Sequence, residues 1–354
     1  MKRLNIATIG CGYWGPNLIR NCVEIPAVSV EAVADLEWER LTHIRTRYPG
    51  IPLITDDYTS LFDAGLDAVI VSTPPETHHE IVGDCLRNGL HVLVEKPLAT
   101  SSKQARELID IASEHERTLM VGHTFEYNPA VRALAQAMAD GELGSVHYID
   151  AVRVGLGLFH PTLNVIWDLA PHDVSILIHI LGEMPESVST RGLACVQDSI
   201  EDVAYITLNF PSGVMAHVRL SWLDPSKTRR ITVVGDKKMI VYDDVEAHEK
   251  LKVYDKRVDT IRRTDTFGDF QFAYHYGSIV SPYVHFEEPL RLECLHFVES
   301  LLNGTPPLTD GWNGLRVVEV IEAAQRSLAD GGVRVEVDTA LSSDVVPAAR
   351  QTTS

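Results

Sequence analysis

The sequence predicts an α/β chain of two domains: an N-terminal doubly wound parallel sheet, then an α+β domain with a large open, mainly antiparallel sheet. Three observations predict it. At 354 residues the chain exceeds what one hydrophobic core usually serves. Through the first third, short β-branched apolar runs alternate with helix-length amphipathic segments, the pattern of a parallel sheet covered on both faces. Further on, strand-like runs follow one another without intervening helices, which fits antiparallel pairing.

Taken in order, the first-domain strands are read at Leu4–Ile9, Val28–Ala34, Ala68–Ser72, His91–Val94 and Leu119–Val121. Helices are read between them at Asn17–Glu24, Glu37–Tyr48, Thr77–Asn88 and Lys103–Glu114. Local punctuation agrees: Asp57 can cap a short helix, Gly89 can end the one beginning near Thr77, and Ser101 or Ser102 can cap the next. After Gly122 one helix is expected over Ala130–Asp140 and another from near Asp168 to Gly182, because Pro171 is best tolerated in a first turn. Strands follow at Val203–Phe210, Val214–Leu220, Arg230–Val234 and Met239–Tyr242, with hairpins at Pro211-Ser212-Gly213 and Gly235-Asp236. Helices over Leu290–Leu302 and Leu315–Leu328 close the fold. The domains are thus expected at 1–123 and 124–338, and the small polar stretch 339–354 reads as a disordered tail.

Composition narrows the partners. The formal net charge of −18 sets nucleic acid and anionic membrane surfaces against net repulsion. Five scattered cysteines without a C-x-x-C spacing fit thiols in a reducing cytoplasm, and neither a disulfide framework nor a zinc site. No apolar run is long enough to span a bilayer, and the start lacks a signal-peptide cleavage pattern. The histidines form no ligand cluster, so no metal is expected.

Four motifs carry chemistry. Gly10-Cys11-Gly12-Tyr13-Trp14-Gly15 leaves the first strand and opens the first helix. In such a turn Gly10 permits the tight bend, Gly12 lets backbone approach a pyrophosphate, and Gly15 lets helix pack on strand. Asp35 ends the second strand, twenty residues past Gly15, where a carboxylate can receive the ribose hydroxyls of NAD. It can equally cap the helix that follows, and the two roles are compatible. Val94-Glu95-Lys96-Pro97 ends a central strand, so Lys96 either points into the ligand crevice or is a surface lysine beside a turn. In Trp167-Asp168-Leu169-Ala170-Pro171-His172, Asp168 and His172 stand one helical turn apart. The pair fits a proton acceptor with its orienting carboxylate, and it fits a capping Asp with an i+4 ion pair. His179, among apolar neighbours, reads as a packed core residue.

These signals in this order resemble the family of glucose–fructose oxidoreductases and inositol dehydrogenases, over roughly residues 3–338. The resemblance implies an N-terminal Rossmann domain, a C-terminal α/β domain, and NAD as cofactor, with NADP less favoured. It implies Lys96, Asp168 and His172 as the catalytic set. It places Gly10, Gly12, Tyr13, Trp14, Gly15 and Asp35, then Thr73, Pro74 and His78, then Glu95 and Lys96, around the cofactor. Several stretches look like the branch acting at C3 of nucleoside-diphosphate sugars: Gly10–Asn17, Gly122–Val131, Asn164–Ile176, Tyr276–Pro289 and Leu308–Ala324. Tyr127, Asn128 and Asn164, which lie in them, and Arg153, which lies between two of them, join Lys96, Asp168 and His172 as candidates for substrate contact. The implied activity is therefore hydride transfer between NAD and C3 of a nucleotide sugar, in a homodimer or homotetramer. An enzyme on a free polyol such as inositol would keep the same catalytic residues. A non-catalytic NAD-binding regulator would be expected to have lost Lys96 or His172, and neither is lost.

Overall fold

A computed structural model describes residues 3–260 and 272–339, so the expected tail lies outside the described residues beyond Thr339. Its helices are α1 (Gly15–Val23), α2 (Trp38–Arg47), α3 (His78–Arg87), α4 (Ser102–Glu114), α5 (Pro129–Ala139), α6 (Val165–Leu181), α7 (Pro289–Asn303) and α8 (Gly311–Ala329). The chain divides into two compact units. Unit 1 takes the residues up to Asn128 together with Glu287–Glu322, and unit 2 takes Pro129–Phe286 with Ala323–Asp338. Helix α7 and most of α8 therefore cluster with the first sheet, where a linear boundary at residue 123 would put them with the second.

Unit 1 holds β1 (Leu4–Ile9), β2 (Val28–Ala34), β3 (Leu53–Thr55), β4 (Ala68–Val71), β5 (His91–Glu95) and β6 (Leu119–Gly122). All pair in parallel, in the order β3-β2-β1-β4-β5-β6. The order reverses between β1 and β4, the crevice where doubly wound sheets bind ligands. Strand periodicity divides the core. Val69 and Val71 of β4 join a cluster with Val82, Leu86, Val92 and Leu108, whereas Ala68 and Ile70 join Leu18, Leu93, Met120 and Phe297 on the other face. β3 escaped the sequence reading because three half-buried residues make too short a run. The caps are as expected: Asp57 accepts from Thr59 N and Ser101 from Gln104 N.

Unit 2 holds β7 (Val146–Val154), β8 (Ser187–Leu193), β9 (Val203–Asn209), β10 (Met215–Ser221), β11 (Thr228–Gly235), β12 (Met239–Asp243), β13 (Leu251–Thr260), β14 (Phe272–Val280) and β15 (Val335–Glu336). They form one sheet, ordered β14-β13-β12-β11-β7-β10-β9-β8-β15. Every pairing is antiparallel except β10 with β7. The sheet is larger than the sequence announces. His147, Asp150 and Arg153 interrupt the apolar pattern of β7, and Lys252, Asp255, Lys256, Arg257 and Asp259 mask β13.

Helix α6 begins at Val165, three residues before the expected start, which places Pro171 inside the helix rather than in its first turn. Asn164 explains the shift. Its Oδ1 accepts from Ile166 N and Trp167 N at 3.2 Å each, and its Nδ2 donates to Glu201 Oε2 (2.8 Å) and Gln325 Oε1 (3.0 Å). So strong a cap offsets the backbone hydrogen bond that Pro171 cannot donate. Asn164→Ala should destabilise unit 2 by about 1–2 kcal/mol in urea unfolding. A change below about 0.3 kcal/mol would mean that Asn164 does not set the helix start.

Candidate active site

In unit 1 the Gly-rich turn is shaped by close backbone approach. Gly10 has φ +94°, and a Cβ there would stand 2.7 Å from Ser72 C and O. A Cβ on Gly15 would meet Gly10 O at 2.2 Å, so neither site accepts a side chain. At Gly12 an added Cβ meets no atom within 4 Å, so the space it would fill is open to a ligand. The N-terminus of α1 has no side-chain cap, and Asn17 N and Leu18 N donate to Trp14 O at 2.9 and 3.1 Å. Tyr13 and Trp14 are exposed on the turn and pack edge to face, centroids 5.3 Å apart. An open backbone cradle at the positive end of a helix without a side-chain cap fits a dinucleotide pyrophosphate.

Asp35 fixes this turn from the tip of β2. Its Oδ2 accepts from Cys11 N at 2.5 Å and its Oδ1 from Glu37 N at 2.8 Å, so it both braces the turn and opens α2. Arg40 stands 3.5 Å from Oδ1.

The turns after β4 and β5 are joined by His78. Its Nδ1 faces Pro97 O at 2.8 Å and its Nε2 faces Thr73 O at 2.9 Å. The ring is fully buried, so it acts on a cofactor only through the segments it holds, while Thr73 and Pro74 remain accessible. Burial holds its pKa below the usual imidazole range, against the two carbonyls that raise it. Lys96, half-buried, follows β5 and precedes the cis Lys96–Pro97 bond. Burial pushes Glu95 up to about 7, with Lys96 pulling the other way. His123, at the end of β6, is pushed down to about 3 by burial and then by Lys96. The sequence reading missed His123. A lone histidine after a strand carries no spacing signal.

In unit 2, Asp168 sits in the first turn of α6 and His172 one turn on, both half-buried. Asp168 Oδ2 accepts from Trp222 Nε1 at 3.0 Å, and His160 Nε2 lies 3.9 Å away. Trp222 is buried, with Phe159 and His160 against its ring. Asp168 is thus held from the side, and α6 takes its cap from Asn164 instead. Trp222 comes from beyond β10, fifty-four residues away, which no local pattern reveals.

Of the four residues expected to contact substrate, three have side-chain partners within the fold and the fourth, Asn128, is buried. Tyr127 is fully buried with its hydroxyl 2.9 Å from Thr309 Oγ1. Asn128 is buried, and Asn164 is engaged as the cap described above. Arg153 is buried and bidentate to Asp173, at 2.7 and 3.0 Å. Asp173 already matches its charge.

A Rossmann sheet with a cofactor-shaped turn, and a strand-end lysine, define an NAD-dependent oxidoreductase. Comparison with known proteins makes this specific. Residues 4–123 match the GFO_IDH_MocA oxidoreductase family, NAD-binding Rossmann fold, and residues 131–241 match the GFO/IDH/MocA C-terminal domain. The chain belongs to this family. It is 25% identical over 350 residues to a myo-inositol 2-dehydrogenase of Thermotoga maritima, covering 92% of this chain and 97% of that one. It is 32% identical over 174 residues to a UDP-N-acetylglucosamine 3-dehydrogenase of Acidithiobacillus ferrooxidans, covering 48% of this chain and 53% of the relative. Among solved structures it resembles GenD2 from gentamicin A biosynthesis in complex with NAD, at 25% identity and TM-score 0.79, covering 95% and 97% of the two chains.

The buried Asp35 carboxylate disfavours a 2′-phosphate by about 1–4 kcal/mol per charge pair at contact distance. Binding should therefore favour NADH over NADPH by at least about tenfold, and Asp35→Ala should weaken NADH binding by loosening the turn. Equal dissociation constants for the two nucleotides, measured by fluorescence, would show that Arg40 neutralises the carboxylate.

Proposed function

We propose that this chain transfers a hydride between NAD and C3 of a sugar carried on a nucleoside diphosphate. The observation that supports it is the set of nucleotide-sugar-like segments around Asp168 and His172, joined by the similarity to a UDP-N-acetylglucosamine 3-dehydrogenase. The relative named for myo-inositol supports a second reading, a free polyol as substrate, with the same catalytic residues.

Bound NAD supplies the redox chemistry; the chain supplies geometry and proton management. His172 takes the proton of the reacting hydroxyl, and returns it in the reverse direction. Lys96 donates a hydrogen bond to the same oxygen and stabilises the charge that grows there. Asp168, fixed by Trp222, orients the imidazole and favours its protonated form. Arg153 is given no part in holding the diphosphate, since Asp173 already matches its charge.

Lys96→Ala and His172→Ala should each lower kcat by ~10²–10⁴-fold while leaving NADH affinity within a few-fold. A His172 variant that keeps more than about a tenth of the rate has no proton-transfer role there. With UDP- and dTDP-linked sugars, kcat should exceed that on the free sugars, because remote binding energy holds the reacting carbon in register. Equal or better kcat/KM on inositol would select the polyol reading instead.

A further inference from the structure

The carboxyl ends of β5 and β6 face the ligand crevice, and their amino ends border a second cavity. His91 opens β5 and Leu119 opens β6. Both line a cavity of about 430 Å³, bordered by the end of α4 and by the segment that joins α7 to α8. That volume is in the range that takes a small organic ligand. Lys96 follows the opposite end of β5, about 15 Å along the strand, so the cavity is separate from the cofactor crevice. Much of the lining is apolar, with Leu301, Pro306, Pro307 and Trp312 among it. Arg106 holds Trp312, its Cζ 4.6 Å from the ring centroid.

Two donors meet at one wall. Thr118 N donates to His91 Nδ1 at 2.9 Å, so that nitrogen holds a lone pair. An imidazole that accepts at Nδ1 carries its proton on Nε2, which makes Nε2 a donor. Arg117 Nη1, which can only donate, stands 3.4 Å from that Nε2. The two groups cannot bond to each other, but they can share one acceptor placed before both. The rest of Arg117 is turned to backbone, Nε to His115 O at 2.9 Å and Nη1 to Gly89 O at 3.4 Å. Among the described residues no carboxylate pairs with Arg117, whereas Asp173 matches the charge of Arg153. Ser300 also lines the cavity. It is 2% exposed, and its Oγ has no hydrogen-bond partner among the described residues.

We propose that this cavity binds a small monocarboxylate with an apolar body. Arg117 and His91 take the carboxylate, and Trp312, Pro306 and Pro307 take the body. A carboxylate brings two acceptor oxygens, and its bonds to a guanidinium are charge-assisted. A single charge suits the surroundings, because Glu116 and Asp310 line the same cavity and a phosphate dianion would meet both. Asp310 is itself engaged, its Oδ1 accepting from Asn313 N at 2.8 Å. The helix ends nearby are closed as well. Ala112 O accepts from Arg117 N at 2.8 Å and Ser300 O from Thr305 N at 3.0 Å, which removes bare carbonyls of α4 and α7 from the path of an anion. The site is independent of the function proposed above.

Benzoate serves as the probe, with benzamide as its uncharged counterpart and inorganic phosphate as an anion without an apolar body. NMR titration of the full chain should give benzoate a dissociation constant of about 1 mM or below. Benzamide and phosphate should each bind at least about tenfold more weakly, since hydrogen bonds to a charged partner are worth that much. Arg117→Met should weaken benzoate by at least about tenfold and leave NADH affinity unchanged. Should Arg117→Met fail to fold, Ser113→Glu sets a carboxylate on the exposed rim and should give the same loss. Saturating the chain with NADH should leave benzoate binding as it was. Equal affinity for benzamide would make the cavity purely apolar, and tighter binding of phosphate would make it an inorganic-anion site. Displacement of benzoate by NADH would put benzoate in the crevice instead. Each of these results overturns the proposal, as does a benzoate dissociation constant above about 10 mM.

Discussion

The N-terminal half of this chain depends on a backbone contact that only glycine permits. The turn after β1 lies so close to the end of β4 that a Cβ on Gly10 would overlap the Ser72 carbonyl, and one on Gly15 would overlap Gly10 itself. Ser72 Oγ donates to Gly10 O at 2.8 Å, and Gly10 N donates to Ala34 O at 2.8 Å, tying the turn to both neighbouring strands. From this contact follow the position of α1, its uncapped N-terminus and the placement of Asp35 against Cys11. Cofactor binding is thus a property of packing as much as of charge.

The same logic runs through the turns that follow β4 and β5. His78 has no surface to offer a ligand, yet it joins the Thr73 and Pro97 carbonyls and so sets two segments of the crevice at once. In unit 2, Trp222 does for Asp168 what His78 does for Thr73: a buried ring holds a functional group by a single hydrogen bond. Tyr127, Arg153 and Asn164 share one trait in this structure, burial beside a partner of matching polarity.

What the sequence made legible was what local physics encodes. The strand–helix alternation of unit 1, the caps at Asp57 and Ser101 and the glycine turn are each written within a few residues of where they act. Charged positions along β7 and β13 hid two strands, because they break the apolar period of a sheet whose pairing is set from a distance. Asn164 was read by position as a substrate contact; it caps α6 through Ile166 N and Trp167 N, and Glu201 and Gln325 hold its amide from a distance. Arg153, read by position as a substrate contact, meets Asp173 twenty residues away. Long-range partners decide what a polar residue does, and one sequence does not name them.

The central claim is that the hydrogen leaving the sugar comes from C3 and arrives on the nicotinamide. It is tested most directly by incubating the protein with NAD⁺ and a UDP-sugar carrying deuterium at C3, and then examining the reduced cofactor by mass spectrometry and NMR. The account predicts one deuterium on the nicotinamide ring and a ketone at C3 of the sugar. Unlabelled reduced cofactor, formed with the sugar still deuterated at C3, would contradict it.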